Sequence, residues 1–262
     1  MKKRIYLSLF ILTPLFNYAQ LDILNEIDLR PKSFDFQVSG KASTNLLIAP
    51  SRQNTLPASG TEVFEEYHSL NGGVSAELIL SPVIHENFFY TYRHEWSLGM
   101  GVGTSYHYQL WGNEFGIGKG GYYLTYHYKS RFMNIVGYTA SASGDGVDET
   151  AHYSKYSGIR HQAFGVKLDI GDGSSIELAF LMEKFTTDQD REPWQGALVR
   201  WDNDDDGWGI ETMLFWNHAA YGYYFTSVEP MEEYSPTGFF LNLKVSYRFG
   251  YRSNYGRVLD FL

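Results

Sequence analysis

The chain has 262 residues, a formal net charge of −9, 17% aromatic residues, 26 glycines and no cysteine. Disulfide frameworks, thiolate catalysis, acylation through cysteine and Cys-based zinc sites are therefore excluded. The acidic balance argues against nucleic acid or an anionic surface as partner. A mean hydropathy of −0.30 is too low for a bundle of membrane helices, yet suits strands whose two faces differ.

Residues 1–19 read as a secretory signal: Met1-Lys2-Lys3-Arg4 is basic, Ile5 to Phe16 is apolar, and Ala19 offers a small residue for cleavage before Gln20. The apolar run contains Pro14 and is too short to span a bilayer as a helix. Its removal deletes three cations and no acid, taking the formal charge from −9 to −12. Export without a membrane helix leaves the periplasm, the outer membrane or the exterior. Residues 20–32 form an amphipathic leader ending near Pro31, expected in the periplasm.

From Ser33 onward the pattern is one of alternation. The first strand, to Leu46, sets Phe34, Phe36 and Val38 against Asp35, Gln37 and Ser39, and a loop with Pro50 and Pro57 follows. The second strand runs from about Phe64 to Leu80, and Ser81 to Asn87 is a short connection. The third is expected as one long strand from Phe88 through Leu110. Its even positions include Trp96, Leu98, Met100, Tyr106, Tyr108 and Leu110, and its odd ones Ser97, Gly99, Gly101, Gly103, Ser105 and His107. Such a strand would put aromatic rings at both ends and aliphatics between them.

After a connection at Trp111 to Gly118, a fourth strand turns Tyr122, Leu124, Tyr126 and Tyr128 one way and Thr125, His127 and Lys129 the other. A turn at Ser130–Arg131 is expected to lead to a fifth strand, Phe132 to Ala142, and Ser143 to Ser157 reads as a long polar loop. Strands six (Gly158 to Ile170) and seven (Ser175 to Glu183) flank the hairpin signal Gly171-Asp172-Gly173. A charged loop, Thr186 to Pro193, precedes strand eight, Trp194 to Trp201, with Ala197, Val199 and Trp201 outward and Arg200 inward. Strand nine, from Trp208, places Trp208 and Trp216 at its ends with Glu211 behind. A long connection, Ala219 to Thr237, precedes strand ten, where Phe239, Leu241, Leu243, Val245, Tyr247 and Phe249 alternate with Asn242, Lys244, Ser246 and Arg248.

Long and short connections alternate, as in an up-and-down barrel with short turns at one end and longer loops at the other. The sequence thus resembles the bacterial outer-membrane β-barrel class along almost its whole mature length. The expected fold is all-β: an up-and-down antiparallel transmembrane barrel of about ten strands over residues 33–250, with a tail at 251–262. The resemblance implies the outer membrane of a Gram-negative bacterium, with membrane lipid, lipopolysaccharide and the barrel-assembly machinery as partners, and a monomeric state. The lipid-facing girdle would be Trp96, Tyr106, Tyr108, Tyr122, Tyr128, Trp208, Trp216, Phe239, Tyr247 and Phe249.

The inward face would carry Glu77, Arg93, Lys129, Lys167, Asp169, Glu177, Arg200, Glu211, Lys244 and Arg248. Charges inside a narrow barrel must be paired or solvated, so they are expected to fill the interior as a salt-bridged plug. A charged constriction passing ions or small solutes is the alternative. His107, His127 and His161 would also face inward, too scattered to meet at one metal.

Asp202 to Gly207 matches the first half of a calcium loop, but Met213 stands where the bidentate Glu is required. A plain hairpin turn is expected there. Acids at Asp145, Asp148, Glu149, Asp188, Asp190, Glu232 and Glu233, beside Tyr153, Tyr223, Tyr224 and Tyr234, would give the outer loops a sugar- or cation-binding character.

No catalytic constellation of an omptin-type protease or a lipid A deacylase is present: the Asp cluster falls at the periplasmic end, and His161 is followed by Gln162 and Ala163 instead of x-Ser. Neither an enzyme nor a cofactor is expected. RHQAFGVKLDIGDGSSIELAF and GALVRW, within Gly158 to His218, resemble the polymorphic toxin type 23 domain. That likeness would imply an exported toxin-like all-β domain. The favoured reading is a structural, binding or adhesion module acting through external loops.

Overall fold

The computed structural model describes residues 35–55, 63–101, 104–143, 146–185, 193–219, 221–225, 230–234 and 237–254. The expected signal and leader lie outside them.

Among the described residues twelve strands follow one another: β1 Asp35–Thr55, β2 Val63–Ile84, β3 Phe88–Gly101, β4 Thr104–Lys119, β5 Tyr122–Ser143, β6 Gly146–Gly171, β7 Ser174–Phe185, β8 Trp194–Asn203, β9 Trp208–Ala219, β10 Tyr221–Phe225, β11 Pro230–Tyr234 and β12 Thr237–Asn254. Nine consecutive strands, β1 to β9, pair antiparallel with their neighbours, and β12 pairs with both β9 and β1. The sheet therefore closes into a ten-stranded up-and-down barrel without a free edge in the ring.

The pairing row through Ile48, Leu241, Leu214, Ala197, Phe180, Phe164, Tyr126, Phe115, Tyr90 and Val83 takes one residue from each strand of the ring. It returns to β1 beside Phe36, between the Asp35–Ile84 and Gln37–Ser81 pairs. That stagger of about 12 residues tilts the strands as closure requires. Every residue on the row is apolar or aromatic and points out.

Two expected boundaries are corrected. Trp96 to Leu110 is not one strand but the β3–β4 hairpin, with Gly101 opposite Thr104 and Gly99 opposite Tyr106. Opposed residues share a face, and here even numbers pair with odd ones, so the parity reverses across the turn. Val102 and Gly103 lie outside the described residues. At Ser130–Arg131 there is no turn: β5 runs through it unbroken, and the irregularity is a bulge opposite β6 between Arg131 and Met133. One missed turn and one false turn cancel, which is why the count of ten stands.

Three connections also change. Trp111 to Gly118 belongs to β4. The expected loop at Ser143 to Ser157 is mostly strand, since β6 begins at Gly146 and zips with β5 as far as Ser143. β4 stops pairing with β5 at Gly137, and β7 stops pairing with β6 at Ile159. The β5–β6 hairpin therefore projects past the barrel rim, and β10–β11, within the expected Ala219–Thr237 connection, adds to it through β6 at Ala151 to Lys155. At the opposite, terminal end, where β1 begins and β12 ends, β12 runs beyond Gly250 to pair Asn254 with Asp35.

The filled lumen as candidate functional site

Alternation sends one face of every strand into the lumen, and the inward residues sort into two layers. Toward the loop end the lumen holds the hydrophobic core: Leu47, Tyr108, Met133, Leu181, Phe215 and Phe240 are among its fully buried members. Toward the terminal end it holds charge.

Glu114 on β4 is the centre of the ionic layer. It meets Arg93 Nε at 2.9 Å, Lys129 Nζ at 2.5 Å and Arg200 Nη2 at 2.9 Å. Arg200 on β8 also donates to Glu177 at 2.9 Å and to Glu211 at 2.8 Å. Glu177 in turn lies 2.8 Å from His127 Nε2. From Glu211 the network continues to Lys244 at 2.5 Å, and from Lys244 to Glu95 at 2.8 Å. Ser97 donates to Glu95 and accepts from Asn45, which carries the chain of contacts toward β1. Glu77 binds Arg93 at 3.2 Å, and Asp202 binds Lys41 at 2.5 Å. Every acid named is matched by a cation, the condition under which charge is tolerated away from water.

Several of these pairs cross the barrel. β4 and β8, joined by Glu114–Arg200, stand four strands apart in the ring of ten. In the apolar layer Arg131, on β5, ion-pairs with Glu183 and lies over the Phe240 ring at 4.7 Å; β12, which carries Phe240, is directly opposite. His161 Nδ1 lies 2.8 Å from the same Glu183. Side chains from facing walls thus touch at both levels.

Below the ionic layer a cavity of about 390 Å³ opens at the terminal end, floored by Arg93, Glu114, Glu177 and Arg200. Tyr123, Lys167 and Asp169 stand at its wall, with the Tyr123 hydroxyl donating to the Glu86 carbonyl and Lys167 over Phe89 at 5.5 Å.

Of the expected girdle, Trp96, Tyr122, Tyr128, Trp208, Trp216, Phe239, Tyr247 and Phe249 point outward and are exposed. Tyr106 and Tyr108 do not: they are inside, Tyr108 only 1% exposed, because the hairpin reverses the parity. His107 is corrected for the same reason. It lies on the outer wall, against Gln109 and the Phe132 ring, not in the lumen. The expected inward charges Glu77, Arg93, Lys129, Glu177, Arg200, Glu211, Lys244 and Arg248 all enter the network, while Lys167 and Asp169 line the cavity.

Sequence reading missed Lys41, Glu95, Glu114, Arg131 and Asp202. Lys41 and Glu95 follow the odd inward parity of their strands and were legible. Glu114, Arg131 and Asp202 were hidden because each was placed in a connection.

The glycines of β3 make room for a neighbouring ring. A Cβ on Gly99 would lie 2.2 Å from Tyr106 Cε1, and one on Gly73 would lie 2.4 Å from its hydroxyl. The same aromatic-over-glycine pairing recurs at Phe89–Gly116 and Phe215–Gly196.

At Asp202 to Gly207 the carboxylates are taken up by cations: Asp202 pairs with Lys41 and Arg248, and Asp204 with the same Arg248. Asn203 Oδ1 accepts from the Asp205 and Asp206 amides, which makes a side-chain-closed hairpin turn. Among the described residues no group of three or more His, Asp or Glu is placed to hold a metal ion. The acidic and tyrosine residues expected to equip the outer loops lie where side chains are not described.

No family model matches the chain, and no curated protein matches its sequence. The segments that suggested the toxin type 23 domain are parts of β6, β7 and β8, and nothing supports that likeness. Among solved structures, the translocator domain of the autotransporter NalP from Neisseria meningitidis is similar at 11% identity and TM-score 0.39, over 92% of this chain and 98% of that one. The outer-membrane protease OmpT from Escherichia coli is similar at 8% identity and TM-score 0.24, covering 86% and 99%. The anion-selective porin from Comamonas acidovorans is similar at 7% and 0.24, covering 82% and 99%.

Proposed function

We propose that this chain is an outer-membrane β-barrel of a Gram-negative envelope, closed by its own side chains, and that it works through the hairpins projecting from its rim. One observation carries the membrane reading: the wall is inverted relative to a soluble protein. All ten strands of the ring expose large apolar side chains outward, from Leu98 and Leu178 to Ile210 and Val245, while the ionic network lies inside. Soluble monomers rarely expose apolar patches beyond a few hundred Å², and an encircling belt needs hydrocarbon around it. Membrane lipid, lipopolysaccharide and the assembly machinery are the partners this reading implies.

A module role is favoured over a pore because ion pairs and a cation–ring contact bridge opposite walls at two levels. Small barrels are commonly filled this way. The β5–β6 hairpin, widened by β10 and β11, is the surface offered to partners. We propose a binding or structural role without catalysis or cofactor.

Fractionation tests the reading. The protein should be recovered only with detergent and should show heat-modifiable gel mobility; recovery in the soluble envelope fraction would overturn it. In planar bilayers it should give no steady single-channel openings. Such openings would favour the pore.

A further inference from the structure

The outer wall is not uniform. On β1 the outward positions from Val38 are Val38, Gly40, Ala42, Thr44, Leu46 and Ile48, and on β2 those from Leu70 are Leu70, Gly72, Val74, Ala76, Leu78 and Leu80. Follow the same pairing rows onto β3 to β6 and the chemistry changes. The row through Gly40 and Leu78 reaches His94, Trp111, Ser130 and Arg160. The row through Val38 and Leu80 reaches Asn113 and Gln162, and the row through Ala42 and Ala76 reaches Gln109. Except for Arg160, which adjoins the last β6–β7 pair at Ile159, these residues are not at a rim: β4 and β5 continue beyond them toward the loop end, and the all-apolar row lies on their other side.

The groups are held in place. The Tyr90 hydroxyl donates to Asn113 Oδ1 at 2.8 Å, and Gln162 Nε2 donates to the Tyr126 hydroxyl at 3.0 Å. Gln109 and His107 are 3.0 Å apart, and His94 stacks on Trp96 at 3.8 Å. An amide side chain has about four hydrogen-bonding positions, so these contacts leave most of that capacity aimed outward. In hydrocarbon, unmet polar groups are costly, and those found at membrane depth usually face another protein surface.

We propose that the wall formed by β3 to β6 is where a second copy of this chain docks within the membrane. The proposal builds on the membrane reading above and departs from the monomer expected from sequence. The occupant follows from the chemistry of the patch. Amides and imidazoles both donate and accept, so the patch is complementary to itself. Two copies inserted the same way and related by a two-fold along the barrel axis bring residues of equal depth together, amide against amide. The one full charge among the outward groups named here, Arg160, already lies over the Tyr128 ring at 5.7 Å, so no oppositely charged partner is called for. Two-fold pairing is also the commonest symmetry of protein oligomers.

The chain has no cysteine, so single substitutions report directly. With Gln109→Cys in native membranes, mild oxidation should give a cross-linked dimer, whereas Leu214→Cys, on β9 across the ring, should not. The unsubstituted protein should sediment as a dimer in mild detergent, and Gln109→Leu with Asn113→Leu should weaken dimerisation roughly tenfold. Heat-modifiable mobility of each variant confirms folding. A monomer by sedimentation, or cross-linking no better at 109 than at 214 in protein that fractionates with the membrane, overturns the docking proposal and leaves the membrane reading standing. Recovery of the unsubstituted protein in the soluble fraction overturns both.

Discussion

Gly99 and Tyr106 stand directly opposite each other in the β3–β4 hairpin, and the tyrosine ring occupies the space that a side chain on the glycine would need. A Cβ at Gly99 would also fall 2.4 Å from the Gly72 carbonyl, so neither ring nor backbone can yield cheaply. Gly99→Ala should therefore destabilise the barrel by about 1–3 kcal/mol, as overpacking of a filled interior does. Tyr106→Phe should cost less, since it keeps the ring. Urea unfolding in detergent, followed by tryptophan fluorescence, compares the two; equal stability of Gly99→Ala and the parent would refute the packing account.

Glu114 holds three cations on three different strands, Arg93, Lys129 and Arg200. Glu114→Gln leaves them facing one another without their shared counter-charge, and a loss of about 3–5 kcal/mol is expected, as for a broken buried pair. Glu114→Gln combined with Arg200→Gln should be less damaging than the separate effects added together. A double-mutant cycle on unfolding free energies measures this, and strict additivity would show that the pair is not coupled.

The lumen contacts predict a functional consequence as well. The parent protein should be silent in planar bilayers, while Glu114→Ala combined with Arg200→Ala removes a bridge between walls and should give measurable openings. A parent that conducts as readily as the variant would show that these side chains do not close the path.

Depth along the outer wall can be tested with arginine. Val245 lies within the belt, paired with Ile210 and Thr44, and Val245→Arg should cost about 2–4 kcal/mol, the midplane penalty. Met100 is 74% exposed and adjoins the last pair of the β3–β4 hairpin. Met100→Arg should therefore cost only about 0–1 kcal/mol, as at an interface. The two unfolding free energies in lipid vesicles decide it: equal costs would mean that the belt is misplaced.

Much of the architecture could be read from the chain because alternation is local. Strands such as Ser174–Phe185, Trp208–Ala219 and Thr237–Asn254 display their two faces residue by residue, so Glu177, Glu211, Lys244 and Arg248 could be assigned inward without knowing their neighbours. Turns were less legible. Val102–Gly103 has alternation running straight through it, and Ser130–Arg131 imitates a turn where β5 merely carries a bulge. A two-residue loop leaves no mark on a period-two pattern except a reversal of which face is inside, and only the partner strand reveals that.

By itself, then, the sequence determined a cysteine-free chain of alternating strands, numerous enough to close a barrel, with apolar residues on one face and charge on the other. Tertiary structure decided which charges meet. Glu114 and Arg200 are 86 positions apart, and nothing local links them; they are joined because closure through β12 and the stagger of the ring set β4 against β8 at one level. The same closure placed Tyr106 inside over Gly99 and gathered Gln109, Asn113 and Gln162 on one outer wall. Periodicity acts along a strand, whereas depth and opposition within a barrel are properties of register between strands.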